Sequence, residues 1–306
     1  MREAAIKKRE MNHLKELEEE SIYIIREALQ ASNHPVLLYS VGKDSSVLLH
    51  LMKKAVYPMV MDIPLLHVDT TWKFKEMIRF RDELVQKEGL KLIVYTNYEA
   101  IKAGINPFSS GSMYTDYMKT KALKDSLIKW KFDYVFCGAR RDEEKSRAKE
   151  HIMSVRDEMQ TWNPQKQRPE YWNIYNTLLR EKESMRIFPL SNWTEISIWE
   201  YIQQEKISVV PLYFAKRRPV VFRNNMLIMP DDSRFQIGKT ECVEYRKVRF
   251  RSLGCYPLTG AIESNASTVK EIIEELGTVF YSERNNRVID YENSFSMERR
   301  KREGYF

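Results

Sequence analysis

Apolar residues along the chain recur first at helical spacing and then in short blocks. In segment 11–30, MNHLKELEEESIYIIREALQ, Leu14, Leu17, Ile22, Ile25 and Leu29 share one face, which predicts an amphipathic helix laid on the main body. Alternation follows. PVLLYS (35–40) reads as a buried strand, Ser45–Ala55 as a helix and PLLHVD (64–69) as a second strand. Phe74–Glu88 is a helix stopped by Gly89, LIVYT (92–96) a third strand, Lys119–Trp130 a helix and DYVFCG (133–138) a fourth strand. MRIFPL (185–190) is a fifth strand, and SNWTEISIWEYIQQ then places Asn192 and Glu195 at capping-box spacing before a helix.

Strands alternating with helices predict an α/β fold, with a doubly wound, mainly parallel sheet covered on both faces. Such sheets bind ligands where their strands end. The candidate segments are therefore Ser40–Ser46, His67–Thr71, Thr96–Glu99 and Gly138–Arg147. From about Lys216 the chain becomes richer in Arg, Asn and Asp, with shorter apolar runs. This divides it into an α/β unit, 1–215, and an extension, 216–306, expected to wrap the first, complete its site and contact a partner.

Composition narrows the class. The 306 residues are 43% hydrophobic and 30% charged, with only 10 Gly and 11 Pro, as in a globular chain with a sizeable core. No apolar run approaches the roughly 18 residues of a membrane span, and MREAAIKKRE lacks the apolar stretch of a secretory signal. The expectation is a cytoplasmic protein. Cys137, Cys242 and Cys255 form no CxxC pair and no metal spacing with the five histidines, so no structural metal is expected. The net charge of +7 suits a polyanionic small substrate or an acidic partner, and no nucleic-acid motif accompanies it.

The sharpest motif is SVGKDSS, set between a strand and a helix. Free N–H groups and the positive end of a helix dipole at such a turn attract phosphate. Asp44 follows Lys43 where a Walker A loop needs Ser or Thr, and GxGxxG is also absent. Gly42 permits close approach of a ligand, Ser40, Ser45 and Ser46 supply hydroxyls, and Lys43 supplies charge. Asp44 fits either a metal-facing or a loop-orienting role. An ordinary helix start capped by Asp44 or Ser45 is the bland alternative.

GARRDEEKSRAKE (138–150) follows the fourth strand. Glu143–Arg147 and Lys145–Lys149 are read as helix-surface neighbours, whereas Arg140 and Arg141 precede the helix and are placed to grip a tetrahedral oxyanion. His67 is read as core, Trp193 and Trp199 as packing residues and Cys255 as structural. Arg249 and Arg251 alternate in VRFRSLGC, so they are expected on one face of a strand, toward the active site or a partner.

SVGKDSS resembles the pyrophosphate-binding loop of the PP-loop ATP pyrophosphatases. Within that family the chain is similar to the small catalytic subunits of the bacterial two-subunit sulfate adenylyltransferases, a group close to the PAPS reductases. The similarity runs through HLKELEEESIYIIRE, LLYSVGKDSSVLLHL, PLLHVDTTWKF, GINPF, GARRDEEKSRAKE, QRPEYWNIYN, FPLSNWTEISIWEYI, VRFRSLGCYPLTGAIESNA and SMERRKREGYF. Two positions are worth noting beside the family pattern: Val41 stands at the usual first glycine of the loop, where this subfamily commonly has a β-branched residue, and Thr71 stands at the glycine of DTGW.

The resemblance implies adenylyl transfer from ATP to sulfate, giving adenylyl sulfate and pyrophosphate, the first step of sulfate assimilation. It implies Mg²⁺ as a companion of ATP and a separate GTPase subunit as partner. Lys43, Arg140 and Arg141 take catalytic roles; Ser40, Gly42, Asp44, Ser45, Ser46, Asp69, Thr70 and Gly138 line the nucleotide site. Two other readings stay open, a thiol-dependent reductase of adenylyl sulfate or its 3′-phosphate and a non-catalytic nucleotide-binding subunit. The first needs a nucleophilic cysteine in the tail, and none follows Cys255.

Overall fold

The computed structural model describes residues 2–278, 283, 302 and 303, with side chains from Asn12 onward, Lys145 excepted. The tail motif SMERRKREGYF therefore lies almost wholly outside the described residues, as does most of 279–306.

The first helix, α1, spans Arg2–Ala31. Its buried face is Leu14, Leu17, Ile24, Ile25 and Ala28; Ile22 and Leu29 are only partly covered. Ser21 fixes it to the body, donating to the Pro189 carbonyl at 2.9 Å and accepting from the Trp193 indole at 2.9 Å.

Six strands form the main sheet: β1 (Pro35–Leu38), β2 (Leu65–Val68), β3 (Leu92–Tyr95), β4 (Tyr134–Phe136), β5 (Met153–Arg156) and β6 (Ser184–Ile187). Their order is β3-β2-β1-β4-β6-β5, parallel except for the antiparallel β5–β6 pair. Helices α2 (Lys43–Val56) and α3 (Lys75–Glu88) follow β1 and β2. The chain runs outward from β1 to β2 and β3, then returns to place β4 on the other side of β1. The ends of β1 and β4 thus flank the point where strand order reverses, which is where a ligand crevice opens.

In the β3–β4 connection α4 (Tyr98–Lys102) and α5 (Gly111–Thr115) come first, and the single helix expected over 119–130 is resolved as the end of a π-helical stretch (Asp116–Lys121) running into α6 (Ala122–Lys129). A short α7 (Lys145–Ala148) precedes β5. Two sequence expectations are corrected. Strand β5 was not anticipated, because MSVR carries a serine and an arginine, yet all four of its residues are buried. The cap of α8 (Glu195–Glu205) is Thr194 paired with Ser197, not Asn192 with Glu195. Asn192 instead accepts from Arg141 and donates to Glu20.

The outer edge of β5 is closed by side chains. Glu170 accepts from the Ile152 and Met153 amides at 3.1 and 2.7 Å. Gln167 accepts from the Val155 amide at 2.9 Å and donates to the Val155 carbonyl at 3.1 Å.

The composition shift at Lys216 falls on the first residue of β7 (Lys216–Arg223). With β8 (Met226–Ile228), β9 (Val243–Arg249) and β10 (Gly260–Glu263) it forms a closed antiparallel barrel, ordered β10-β8-β7-β9, followed by α9 (Val269–Leu276). The barrel is tied back to the sheet. Lys73 and Cys255 form a β-bridge, the Tyr256 amide donates to the Trp72 carbonyl at 2.9 Å, and Phe74 packs on Phe250 with ring centroids 4.8 Å apart. Segment 250–259 is thereby laid across the ends of the parallel strands.

Candidate active site

Gly42 caps α2 in extended conformation, and its carbonyl accepts from the Ser46 amide, the Ser45 hydroxyl and the Ser46 hydroxyl at 3.0, 2.9 and 3.0 Å. Ser40 donates to Ser45 at 3.2 Å, and the Lys43 amide donates to the Tyr213 hydroxyl at 2.8 Å. Val41 adopts φ 65° with its side chain fully buried. Left-handed backbone is costly for a β-branched residue, so packing holds Val41 in a conformation that only glycine adopts freely. Thr71 does the same at φ 62°, braced by its amide donating to Asp69 Oδ1 at 2.7 Å.

Gly138, just beyond β4, has its own reason. A Cβ there would lie 3.2 Å from the Asp44 carbonyl carbon and the Ser45 nitrogen. The bare backbone lets the β4 end press against the loop.

Behind the loop lies a compact charge cluster. Lys43 Nζ contacts Asp44 Oδ2 at 3.2 Å and Glu283 Oε2. Arg140, wholly buried, reaches Asp44 Oδ1 at 2.6 Å, Glu283 Oε1 at 2.8 Å and Asp142 Oδ2 at 3.2 Å. Burial opposes charge on Lys43 and Arg140, but Asp44 and Glu283 outweigh it and hold both pKa values above their ordinary ranges. Glu195 sits in the same field; burial, with Glu283 beside it, raises its pKa, while Arg251 pairs with it at 2.5 Å.

A cavity of about 180 Å³ opens onto this cluster. Ser40, Gly42, Lys43, Asp44, Ser45 and Gly138 line it, as do Lys73, Lys119, Arg147, Tyr213, Glu283 and segment 252–254. A second, more apolar chamber of about 140 Å³ lies over the ends of β1 and β2, lined by Leu38, Tyr39, Leu66, Val68, Thr70 and Leu123, among others. Leu38, Ser40, Lys73 and Lys119 border both chambers.

Not every predicted residue shares this space. Ser46 turns back onto the Gly42 carbonyl, and Asp69 is spent on the Thr71 turn. Arg141 points elsewhere, to Asn192 Oδ1 at 2.7 Å and the Glu150 carbonyl at 3.2 Å. Arg249 and Arg251 do not share a strand face: β9 ends at Arg249, which pairs with Glu275, while Arg251 lies past it on Glu195. His67 and Cys255 are buried. His67 donates from Nδ1 to the Tyr39 carbonyl at 2.8 Å, and Cys255 Sγ lies 3.1 Å from Thr70 Oγ1 and 3.2 Å from the Tyr114 hydroxyl. Trp193 and Trp199 are core residues.

Comparison with known proteins bears on this arrangement. The Phosphoadenosine phosphosulfate reductase domain family matches residues 34–261. "Sulfate adenylyltransferase subunit 2" of Trichlorobacter lovleyi is 57% identical over 297 residues, covering 97% of this chain and 99% of that protein. The protein of the same name from Sulfurimonas denitrificans is 57% identical over 299 residues, with the same coverage. The chain belongs to the sulfate adenylyltransferase subunit 2 family. Among solved structures, Candida glabrata FMN adenylyltransferase in complex with FAD and inorganic pyrophosphate superposes with a TM-score of 0.53 at 14% identity, over 97% of this chain and 85% of that one. That likeness concerns the fold.

Family members named subunit 2 imply a partner subunit. For this member of the sulfate adenylyltransferase subunit 2 family, the loop, Arg140 and Gly138 were visible as motifs. Glu283, Tyr213 and Glu195 were not, because they reach the site from remote positions. A lone tyrosine or glutamate carries no local pattern.

Proposed function

We propose that this chain transfers the adenylyl group of ATP to sulfate, releasing pyrophosphate. The observation carrying this reading is the meeting of the SVGKDSS loop with Arg140 and Gly138 at the reversal of strand order, beside a more apolar chamber over the ends of β1 and β2. The β- and γ-phosphates lie in the loop against Lys43 and the start of α2, and the adenosine occupies the chamber over β1 and β2. A sulfate oxygen attacks the α-phosphorus in line. The new O–P bond forms as the bond to the β-phosphate oxygen breaks, and the electron pair leaves with pyrophosphate. Sulfate is already an anion, so no base is required and catalysis is positional and electrostatic.

Mg²⁺ is bound in such sites by phosphates, waters and one or two carboxylates. The Asp44 carboxylate, at the cavity wall, is an oxygen donor of the right class. When bound, the ion would offset phosphate charge.

The product is a mixed anhydride, so its formation is uphill. The sequence has neither a Walker A loop nor an NKxD guanine motif, so we assign the coupling to GTP hydrolysis on a partner GTPase subunit, with the barrel region after Lys216 as its contact. The buried Cys255 gives no support to thiol-dependent reduction.

The test is pyrophosphate release by the full chain with its partner, dependent on both ATP and sulfate. Lys43→Ala should lower it by about 10²-fold or more with the circular dichroism spectrum retained. Normal turnover in that variant would remove the loop assignment.

A further inference from the structure

Two lysines outside the recognised motifs occupy a defined place. Lys73 and Lys119 border both the loop cavity and the nucleoside chamber. In the proposed binding mode, adenosine fills one space and pyrophosphate the other, so the atoms between them are those of the α-phosphate, which sulfate approaches from the side opposite the leaving pyrophosphate. Residues bordering both spaces are those that flank the reacting phosphorus.

The lysines come from different elements. Lys73 lies just before α3 and is bridged by backbone to Cys255. Lys119 stands on the π-helical stretch Asp116–Lys121. Such a widened turn commonly marks a functional position and re-aims the side chains it carries. Both side chains are part-exposed rather than sealed in the core.

Their charges also converge. Burial disfavours a Cys255 thiolate, but Lys119 and Lys73, with hydrogen bonds from Thr70 and Tyr114, bring the thiol pKa below its ordinary value. Two ammonium groups thus act on one buried thiol, 3.1 Å from Thr70 on the wall of the nucleoside chamber. Nearby, the charges of Lys43 and Arg140 are matched by Asp44 and Glu283. Among the described residues no carboxylate forms an ion pair with Lys119. Positive charge at this junction suits an incoming anion.

We propose that Lys73 and Lys119 form the seat of the attacking sulfate, holding it against the α-phosphate despite the repulsion between two anions. Built on the adenylyl-transfer reading, this inference assigns the second substrate to residues that no motif marks. The ammonium groups receive the sulfate oxygens not engaged in attack. As the new bond forms, they also face the charge building on the α-phosphate, where preorganised cations are most effective.

The experiment uses Lys73→Met, Lys119→Met and Lys119→Arg in the full chain co-purified with its partner subunit. Sulfate KM and kcat are read from pyrophosphate release, and nucleotide binding is read by calorimetry with a non-hydrolysable ATP analogue. Each Met variant should raise sulfate KM at least tenfold while analogue affinity changes less than threefold, and Lys119→Arg should recover most of the loss. An unchanged sulfate KM, or analogue affinity falling as far as sulfate affinity, overturns the seat. Wild-type complex that releases no sulfate-dependent pyrophosphate would instead overturn the underlying reading.

Discussion

Glu283 Oε1 lies 2.8 Å from Arg140 Nη2, and the other oxygen of the same carboxylate contacts Lys43 Nζ. A carboxylate thus bridges the loop lysine and the buried arginine that follows β4. On the proposed reading, it takes the place that a phosphate oxygen would fill.

The first prediction follows from that bridge. If phosphate and Glu283 share the same cations, Glu283→Gln removes a competitor. Affinity for a metal-free ATP analogue should rise several-fold in calorimetry. Thermal stability should fall in the same variant, since two buried cations lose a charged partner. Weaker analogue binding would mean that Glu283 assists the nucleotide.

The two arginines should separate. Arg140→Ala opens the buried cluster and should abolish most turnover, and Arg140→Lys should rescue it poorly because a point charge cannot bridge three carboxylates. Arg141→Ala loses bonds to Asn192 and the Glu150 carbonyl. Denaturant titration should show a loss of about 1–2 kcal/mol, with sulfate KM unchanged. A large rise in sulfate KM for Arg141→Ala would return that residue to the site.

Val41→Gly should destabilise the protein even though it relieves the left-handed backbone at that position. Relief of left-handed backbone is worth about 1–2 kcal/mol. Losing a buried valine side chain costs about 1.5–3 kcal/mol before the added freedom of glycine is counted. A net loss of about 1–2 kcal/mol is expected from chemical denaturation. A gain in stability would show that packing does not hold the turn.

His67 provides a pH signature. Burial, reinforced by Lys73, pulls its pKa down to about 3. Below the ordinary value near 6.5, the unfolded chain takes up a proton that the folded chain refuses. The contribution is therefore complete above about pH 6.5 and is lost as pH falls toward 3, by up to about 1.4 kcal/mol per pH unit. His67→Gln should flatten the stability slope between about pH 4 and 6, measured by denaturant titration. An unchanged slope would place the titration elsewhere.

Much of the fold is legible because burial leaves a repeating trace. β1, β2 and β4 are apolar blocks, and the helices between them keep one apolar face. The loop is legible for another reason: its chemistry is contiguous, with backbone, lysine and hydroxyls within seven residues. β5 hides because its buried Arg156 and Ser154 bond to one another and to Glu150 and Gln167. The direction of Arg141 was hidden too, since spacing places a residue at a strand end without saying which acceptor its guanidinium finds. Glu283 lies 240 residues from Lys43, and no local pattern connects them.

The side chains along β5 have a consequence for assembly. Edge strands ordinarily invite another chain to add a strand. Here Gln167 and Glu170 already occupy the outward amides of Ile152, Met153 and Val155. At this margin the sheet cannot be extended by backbone pairing. A neighbour arriving there meets side chains, among them the largely exposed Tyr171 and Trp172 of the following turn, and recognition at that margin is decided by shape and chemistry rather than by a shared ladder.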